Sequence, residues 1–371
     1  MKIIIDAREL CSSTGRYVDR LLHYLQEIDE RNSYVILLKS SDFDNWQPSN
    51  PNFHKVRCPY KEFTFGEQYG LVWQLYGLRA DLVHFGMTQQ PILYFGRTVT
   101  TIHDLTTARF RNPAKNRLTF TFKQVVYKWL IKRVARKSRV IIVPSEFVKN
   151  DVAQYAKVPA DKITVTYEAA DQIAEAAEPL PQLTGKTFLL YVGRAEPHKN
   201  LNSLVDAYAL IKQSRPDLSL VLAGRINANH NQLQKFVNDK EINDVIFTDF
   251  VSEGQLKWLY QNTAAYVFPS LSEGFGLPGL EAMVHGAPVV SSNATCLPEI
   301  YGQAAHYFDP NNIAEMAAKI AEVLDSRPLK SQLVKAGQDQ AVQYSWRRMA
   351  EQTLAVYTKI LPAKPSDQIL D

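Results

Sequence analysis

Short apolar, β-favouring runs recur along the chain, and between them apolar residues fall at helical spacing. In the first half the runs are KIIIDA, YVILLKS (Tyr34 to Ser40), FHKVRC, DLVHFG (Asp81 to Gly86), TVTTIHD (Thr98 to Asp104), VIIVPS (Val140 to Ser145) and ITVTYE (Ile163 to Glu168). Helical patterns cover Gly15 to Ile28, Ala114 to Lys137 and Glu146 to Ala156. The second half repeats the scheme: TFLLYVG, LSLVLAG, VIFTDF, AAYVFPS, APVVSSN and AAHYFDP, with helices such as Leu201 to Gln213, Glu253 to Asn262 and Ile313 to Leu324. Strands alternating with helices predict parallel, doubly wound sheets. Between the halves, AADQIAEAAEPLPQLTGK is poor in aromatics and broken by two prolines, which predicts a linker. The expected organisation is a domain over 1–170, a linker over 171–186, a second domain over 187–345 and a last helix, Trp346 to Ile360, within 346–371.

A chain of 371 residues is long for one core and comfortable for two domains. Two such halves suit a cleft that takes a small ligand. The net charge of +4 sets up no field that calls for nucleic acid. Cys11, Cys58 and Cys296 are isolated and match no metal spacing, which suits a reducing cytosol. The N-terminus runs straight into a strand, so no signal peptide is expected. No apolar run approaches a bilayer span, so any membrane contact is expected to be peripheral.

The stretch SLSEGFGLPGLEAMVHGAPVV (Ser270 to Val290) carries the chemistry. It reads as strand, glycine loop, helix and strand, with Pro278 as the first helical residue and Gly286 at the stop. The loop then lies at the carboxyl edge of a parallel sheet, where open α/β sheets bind ligands. Gly276 and Leu277 offer no side-chain oxygen as a cap, so the amides of Gly279, Leu280 and Glu281 are expected to be free for a phosphate. Glu273 and Glu281 flank the place and suit sugar hydroxyls. Either glutamate alone reads as a solvated acid; the coincidence of two glycines, Pro278 and both acids points to a nucleotide-sugar.

At EGFGLPGLEAM the chain resembles the family-four retaining glycosyltransferases, which have the GT-B fold of two Rossmann-like domains. The resemblance implies that Glu281 holds the nucleotide ribose, that Glu273 contacts the donor sugar, and that the backbone of Phe275, Gly276 and Leu277 lies along phosphate and sugar. YVGRAEPHKN (Tyr191 to Asn200) is similar to the family's GRxxxxKN. There Arg194 and Lys199 grip the diphosphate, and cations at that edge would neutralise a leaving group. Taken singly, each reads better as a solvated surface base; the place at the carboxyl edge of a strand favours the functional reading.

Other assignments rest on the same resemblance. Gly15, in STGRYVDRLL, would face the donor phosphates, although a simple turn glycine explains it as well and CSSTG lacks the family's second glycine. His103 would contact the donor sugar, with Asp104 beside it; a lone histidine near a core is otherwise a packed one. Gly224, Arg225 and Val251 to Leu256 would surround the base. Asp42-Phe43-Asp44 matches the Asp-x-Asp metal motif of another glycosyltransferase fold, but its polar surroundings read as a turn. No metal and no cofactor is expected. The last helix would cross back to the first domain.

From Lys115 to Arg139 nine lysines or arginines occur with no acid, interleaved with Phe120, Phe122, Tyr127, Trp129, Leu130 and Ile131. Such a helix, residues 115–139, suits peripheral contact with an anionic membrane, set against a helix docked on its sheet with a solvated basic back.

The expected activity is retaining hexosyl transfer from a nucleotide-diphospho-sugar to a glycan or lipid-linked acceptor. IDARE, TGRY, TIHDL and the SLSEGFGLP string resemble the mannosyltransferase branch, which implies GDP-mannose; UDP-glucose or a UDP-N-acetylhexosamine is the alternative. A sugar-nucleotide-binding protein without turnover is a second class. A dehydrogenase is set aside, because no G-x-G-x-x-G follows KIIIDA or TFLLYVG.

Overall fold

The computed structural model describes residues 1–10, 15–110 and 117–360, with the backbone alone for 117–120 and 122. Cys11, residues 11–14 of the expected glycine loop, and 111–116 at the start of the expected basic helix lie outside the described residues.

The chain forms two compact units. One comprises Met1–Leu105, Val125–Glu168 and Ser345–Asp371; the other comprises Thr106–Gln124 and Ala169–Tyr344. The boundaries thus differ from those expected. Thr106–Gln124 joins the second unit, and so does the proline-broken linker stretch. The reason is visible in the hydrogen bonds. Lys257 Nζ donates to the carbonyls of Ile173 and Glu175, both at 2.9 Å, and the Glu178 amide donates to the Gly254 carbonyl at 3.0 Å. A segment with little apolar surface is held by polar contacts that composition does not reveal.

In the first unit, β1 (Lys2–Asp6), β2 (Ser33–Leu38), β3 (Phe53–Arg57), β4 (Leu82–Phe85), β5 (Thr98–Thr101), β6 (Val140–Val143) and β7 (Ile163–Val165) form one parallel sheet in the order β3-β2-β1-β4-β5-β6-β7. Ile3, Ile4 and Ile5 of β1 are fully buried, as a central strand covered on both faces requires. The helix Trp346–Ile360 belongs to this unit and packs on the helix Gly15–Ile28, and its Met349, Ala350, Thr353 and Tyr357 are buried.

In the second unit, β8 (Thr187–Val192), β9 (Leu218–Ala223), β10 (Val245–Asp249), β11 (Ala265–Phe268), β12 (Val289–Ser292) and β13 (Ala305–Phe308) form a parallel sheet in the order β10-β9-β8-β11-β12-β13. The order reverses between β8 and β11, so the loops after those two strands diverge to opposite sides and leave a crevice at the carboxyl edge. Those loops carry Arg194 and Lys199, and Glu273 and Gly276, respectively.

Candidate functional site

The loop after β11 feeds the helix Leu277–Val284, one residue earlier than Pro278 predicts. Gly276 caps it at φ +90° with no side-chain cap. The carbonyl of Gly276 accepts from the Gly279 amide at 3.2 Å and from the Tyr301 hydroxyl. The Gly279 amide is therefore not free, contrary to expectation. The free amides are displaced toward the loop: those of Gly276 and Leu277 have no hydrogen-bond partner among the described residues. With the Gly276 carbonyl fixed inward, its loop is left with donors and a positive helix end. A Cβ on Gly276 would lie 2.5 Å from the Tyr301 hydroxyl and 2.6 Å from Leu297, and one on Gly279 would lie 2.3 Å from that hydroxyl. Burial, then the charge of Glu273, holds the Tyr301 hydroxyl well above its usual pKa, so it stays a neutral donor.

Across the switch point, Gly193 at φ +145° turns the chain out of β8, and Pro197–Lys199 makes a single 3₁₀ turn. Lys199 Nζ donates to Glu273 Oε1 at 2.6 Å, and the Leu271 amide donates to the His198 carbonyl at 2.7 Å. The two loops are thus tied together. The Glu273 amide donates to Thr295 Oγ1 at 3.1 Å, which fixes the base of the acid. Arg194 is exposed and has no ion pair among the described residues. The structure therefore gathers Arg194, Lys199, Glu273 and the amides of Gly276 and Leu277 on the adjacent loops of one sheet edge.

Glu281 is 9% exposed and accepts from the Tyr260 hydroxyl at 3.2 Å. Tyr260 in turn stacks on His285, with ring centroids 5.5 Å apart at 15°. The Ile173 amide donates to His285 Nε2 at 3.1 Å, so that nitrogen carries no proton; Nδ1 donates to the Glu281 carbonyl at 2.8 Å. Burial, with Lys257 nearby, holds the His285 pKa below its usual value and keeps the ring neutral.

Beside β9 and β10, Gly224 at φ +154° approaches Gly193 so closely that a Cβ would lie 2.3 Å from the Gly193 carbonyl oxygen. The Gly224 amide donates to the Asp249 carbonyl at 3.3 Å, and the Ile226 amide donates to Asp249 Oδ1 at 2.9 Å. Arg225 lies 5.3 Å from the ring centre of the exposed Phe250, next to the half-buried Val251. A flat cation–aromatic pair at a strand edge is suited to stacking a planar ring.

In the first unit, His103 and Asp104 lie just past β5 rather than inside a strand. His103 Nδ1 bonds Glu168 Oε1 at 3.0 Å and Nε2 bonds the Gly86 carbonyl at 3.1 Å. Both partners are acceptors only, so both ring nitrogens donate and the ring is an imidazolium. Burial pulls its pKa down, but the hydrogen bond and charge of Glu168, aided by Asp104 and Gly86, outweigh that and leave it raised. The Tyr17 ring meets His103 edge-on at 4.9 Å. Tyr17 leads into a buried chain: its hydroxyl bonds Thr101 Oγ1 at 3.0 Å, Thr101 bonds His84 Nε2 at 2.9 Å, and His84 Nδ1 bonds the Tyr357 hydroxyl. Gly15 sits where a Cβ would lie 1.9 Å from the Leu10 carbonyl oxygen. Contact with its own chain is by itself sufficient to require glycine there.

Asp42 to Asp44 form a turn. Asp44 pairs with Arg57 at 3.3 Å, and Phe43 lies under Lys55 and Arg57 at 4.5 and 4.2 Å. Tyr301, Tyr260 and His285 were not anticipated from sequence. Each acts through a partner at least twenty positions away or through a backbone carbonyl, so no local spacing announces it.

The family description Glycosyltransferase Family 4 matches residues 14–172, and Glycosyl transferases group 1 matches 172–340. The O-antigen chain mannosyltransferase B of Escherichia coli is 33% identical over 273 residues, covering 70% of each chain. The chain belongs to glycosyltransferase family 4. Within that family it stands near the mannosyltransferase branch. The MMP alpha-(1->4)-mannosyltransferase of Mycolicibacterium hassiacum is 28% identical, over 76% of this chain and 71% of the relative. Among solved structures, sucrose-phosphate synthase from Thermosynechococcus elongatus superposes with a TM-score of 0.76 at 18% identity, covering 98% of this chain and 100% of the other. Anabaena HepE in complex with UDP and glucose gives 0.73 at 18%, covering 96% and 99%. Two parallel-sheet Rossmann-like domains with these neighbours establish the GT-B fold for this glycosyltransferase.

Proposed function

We propose that this glycosyltransferase moves a mannosyl group from GDP-mannose to a glycan or lipid-linked acceptor, with retention at the anomeric carbon and on the cytoplasmic side of the membrane. The observation that carries the reading is the pairing of Lys199 with Glu273 beside the free amides of Gly276 and Leu277. Cation and amides suit the diphosphate; the carboxylates suit hydroxyls. As the glycosidic bond breaks, negative charge builds on the diphosphate, and Arg194, Lys199 and the helix start stabilise it without a metal ion. Glu281, steadied by Tyr260, takes the ribose. Glu273 orients the sugar, a role that the family resemblance also gives to His103. Gly224, Arg225 and Val251 border the base. The acceptor hydroxyl enters on the face the diphosphate leaves, and the diphosphate takes its proton.

The mannosyltransferase names of the relatives support mannose, and the choice of GDP rests on the same resemblance; UDP-linked glucose or N-acetylhexosamine is the second reading, favoured by the fold neighbour solved with UDP and glucose. Thermal-shift measurement against GDP, UDP, ADP and their sugars tests the donor, since a ligand that binds the folded state raises Tm. GDP and GDP-mannose are expected to give the largest shifts. Product released with an acceptor should show the donor's anomeric configuration by NMR. A larger shift with UDP overturns the donor assignment, and an inverted product overturns the mechanism.

A further inference from the structure

The segment from Lys61 to Arg79 is not resolved as a helix by its hydrophobic pattern, yet it forms a one-turn π-helix, Glu67–Leu71, running into the helix Val72–Leu78. The reason is that it is apolar on two sides. Leu71 and Leu75 are fully buried on the core with Cys58 and Tyr94. The opposite face carries Phe65, Tyr69, Trp73 and Tyr76, spaced four, four and three apart and therefore in one stripe. Phe65 is 83% exposed and Trp73 79%. The stripe continues on both flanks. Phe95, 68% exposed, is fixed by its amide, which donates to the Tyr76 hydroxyl at 3.1 Å. Phe63 meets Tyr127 of the helix Arg117–Lys137 with ring centroids 6.4 Å apart, and Trp129 on that helix is exposed. A contiguous aromatic shelf of this kind is not normal on a solvated surface.

The exposed charges on and next to these segments are basic except for Asp81, which accepts from the Lys2 amide at 2.8 Å. Lys61, Arg79, Arg97, Lys128 and Arg133 are exposed. The acids of the segment are spoken for: Glu62 pairs with Lys39 at 3.0 Å and Glu67 with Arg8 at 2.9 Å. The long basic helix buries Leu130, Ile131, Val134 and Ala135 in the unit and turns its bases outward together with Val125, Val126 and Trp129.

We infer that this shelf seats the protein on an anionic phospholipid bilayer, with the Phe65–Trp73 stripe in the headgroup layer and the flanking bases on lipid phosphates. Aromatic side chains favour that layer. Bases near it add attraction that salt screens. A second copy docked on the same shelf by a two-fold axis would set these like charges against each other. The shelf shares no residue with the proposed sugar-nucleotide site, and the inference stands or falls independently of the donor.

The test is flotation of the full chain with phosphatidylcholine vesicles, with and without about a third phosphatidylglycerol, a lipid whose charge attracts bases. The protein should float with the anionic vesicles alone, and salt should release it. The double variant Phe65→Ser/Trp73→Ser should lose at least about tenfold in bound fraction, and Lys128→Glu/Arg133→Glu should lose the preference for anionic lipid. Because these side chains are exposed, melting curves and GDP-induced thermal shifts should match the parent. Absence of flotation with anionic vesicles overturns the inference, as does equal flotation of the serine variant. Concentration-dependent dimerisation in sedimentation, abolished by the serine pair and without vesicle binding, assigns the shelf to a second copy instead.

Discussion

Lys199 Nζ lies 2.6 Å from Glu273 Oε1, with the lysine side chain 17% exposed and the glutamate 11%. In the absence of donor, the cation proposed for the diphosphate is held by the acid proposed for the sugar. Binding then exchanges one acceptor for another instead of desolvating a bare ammonium. Lys199→Ala should lower turnover by about 10²-fold or more and leave Glu273 without its partner, at a stability cost on the order of 1–3 kcal/mol. In a double-mutant cycle with Glu273→Ala, the stability losses should be less than additive. Full additivity in urea titrations would mean the pair is not coupled.

Glu281 accepts from Tyr260 and sits at the edge of the free-amide loop. Glu281→Gln keeps the shape and removes the charge. Losing a charge-assisted hydrogen bond of about 1.5–3 kcal/mol should weaken nucleotide binding by about 10- to 150-fold. Titration calorimetry with GDP reads this directly, while the unliganded Tm should move by only a few degrees. Unchanged affinity would remove Glu281 from the ribose.

Tyr301 and Gly276 are mutually required. Gly276→Ala meets both a left-handed φ and a Cβ 2.5 Å from the Tyr301 hydroxyl, and should destabilise the fold by roughly 1–3 kcal/mol or more. Tyr301→Phe removes the donor to the Gly276 carbonyl at a similar cost of about 1–3 kcal/mol. It should also weaken GDP binding, since the loop amides lose the anchor that orients them. Tyr301→Phe with native GDP affinity would show that the loop orients itself.

His84 and His103 should tilt the pH dependence in opposite directions. Burial, with His103 nearby, pushes the His84 pKa down to about 3. The unfolded ring titrates near 6.5, so in that interval the unfolded chain binds the extra proton. The His84 contribution is complete above about pH 6.5 and is lost as pH falls toward about 3, by up to about 1.4 kcal/mol per pH unit. His103, with its raised pKa, contributes stability that is present at low pH and lost as pH rises through that value. Denaturation midpoints across this range should flatten on the acid side in His84→Gln. An unaltered acid limb would place the acid sensitivity elsewhere.

Much of the second unit was legible because its information is local. The run Ala264 to Ser270, the glycines 274 and 276 and the stop at Gly286 define strand, loop and helix within about two dozen positions, and β11 and Leu277–Val284 form there. The helix start was misjudged by one residue because Pro278 also fits the second helical position, and that shifted the free amides from Gly279 to Gly276 and Leu277. The Tyr17–Thr101–His84–Tyr357 chain was illegible because its ends lie hundreds of positions apart and each member reads as an ordinary core or strand residue. The Glu67–Leu78 helix was missed for another reason. Apolar residues on both faces erase the single-sided period by which a helix is recognised.

The helix Trp346–Ile360 has a consequence for how the molecule is made. It covers the helix Gly15–Ile28 and supplies Tyr357 to the hydroxyl chain of the first unit. A nascent chain paused anywhere between Val165 and Trp346 has every strand of that unit translated, yet still lacks the helix that packs on Gly15–Ile28. The earliest-made unit is thus the last to close, and throughout elongation it presents a sticky face on which chaperones can act.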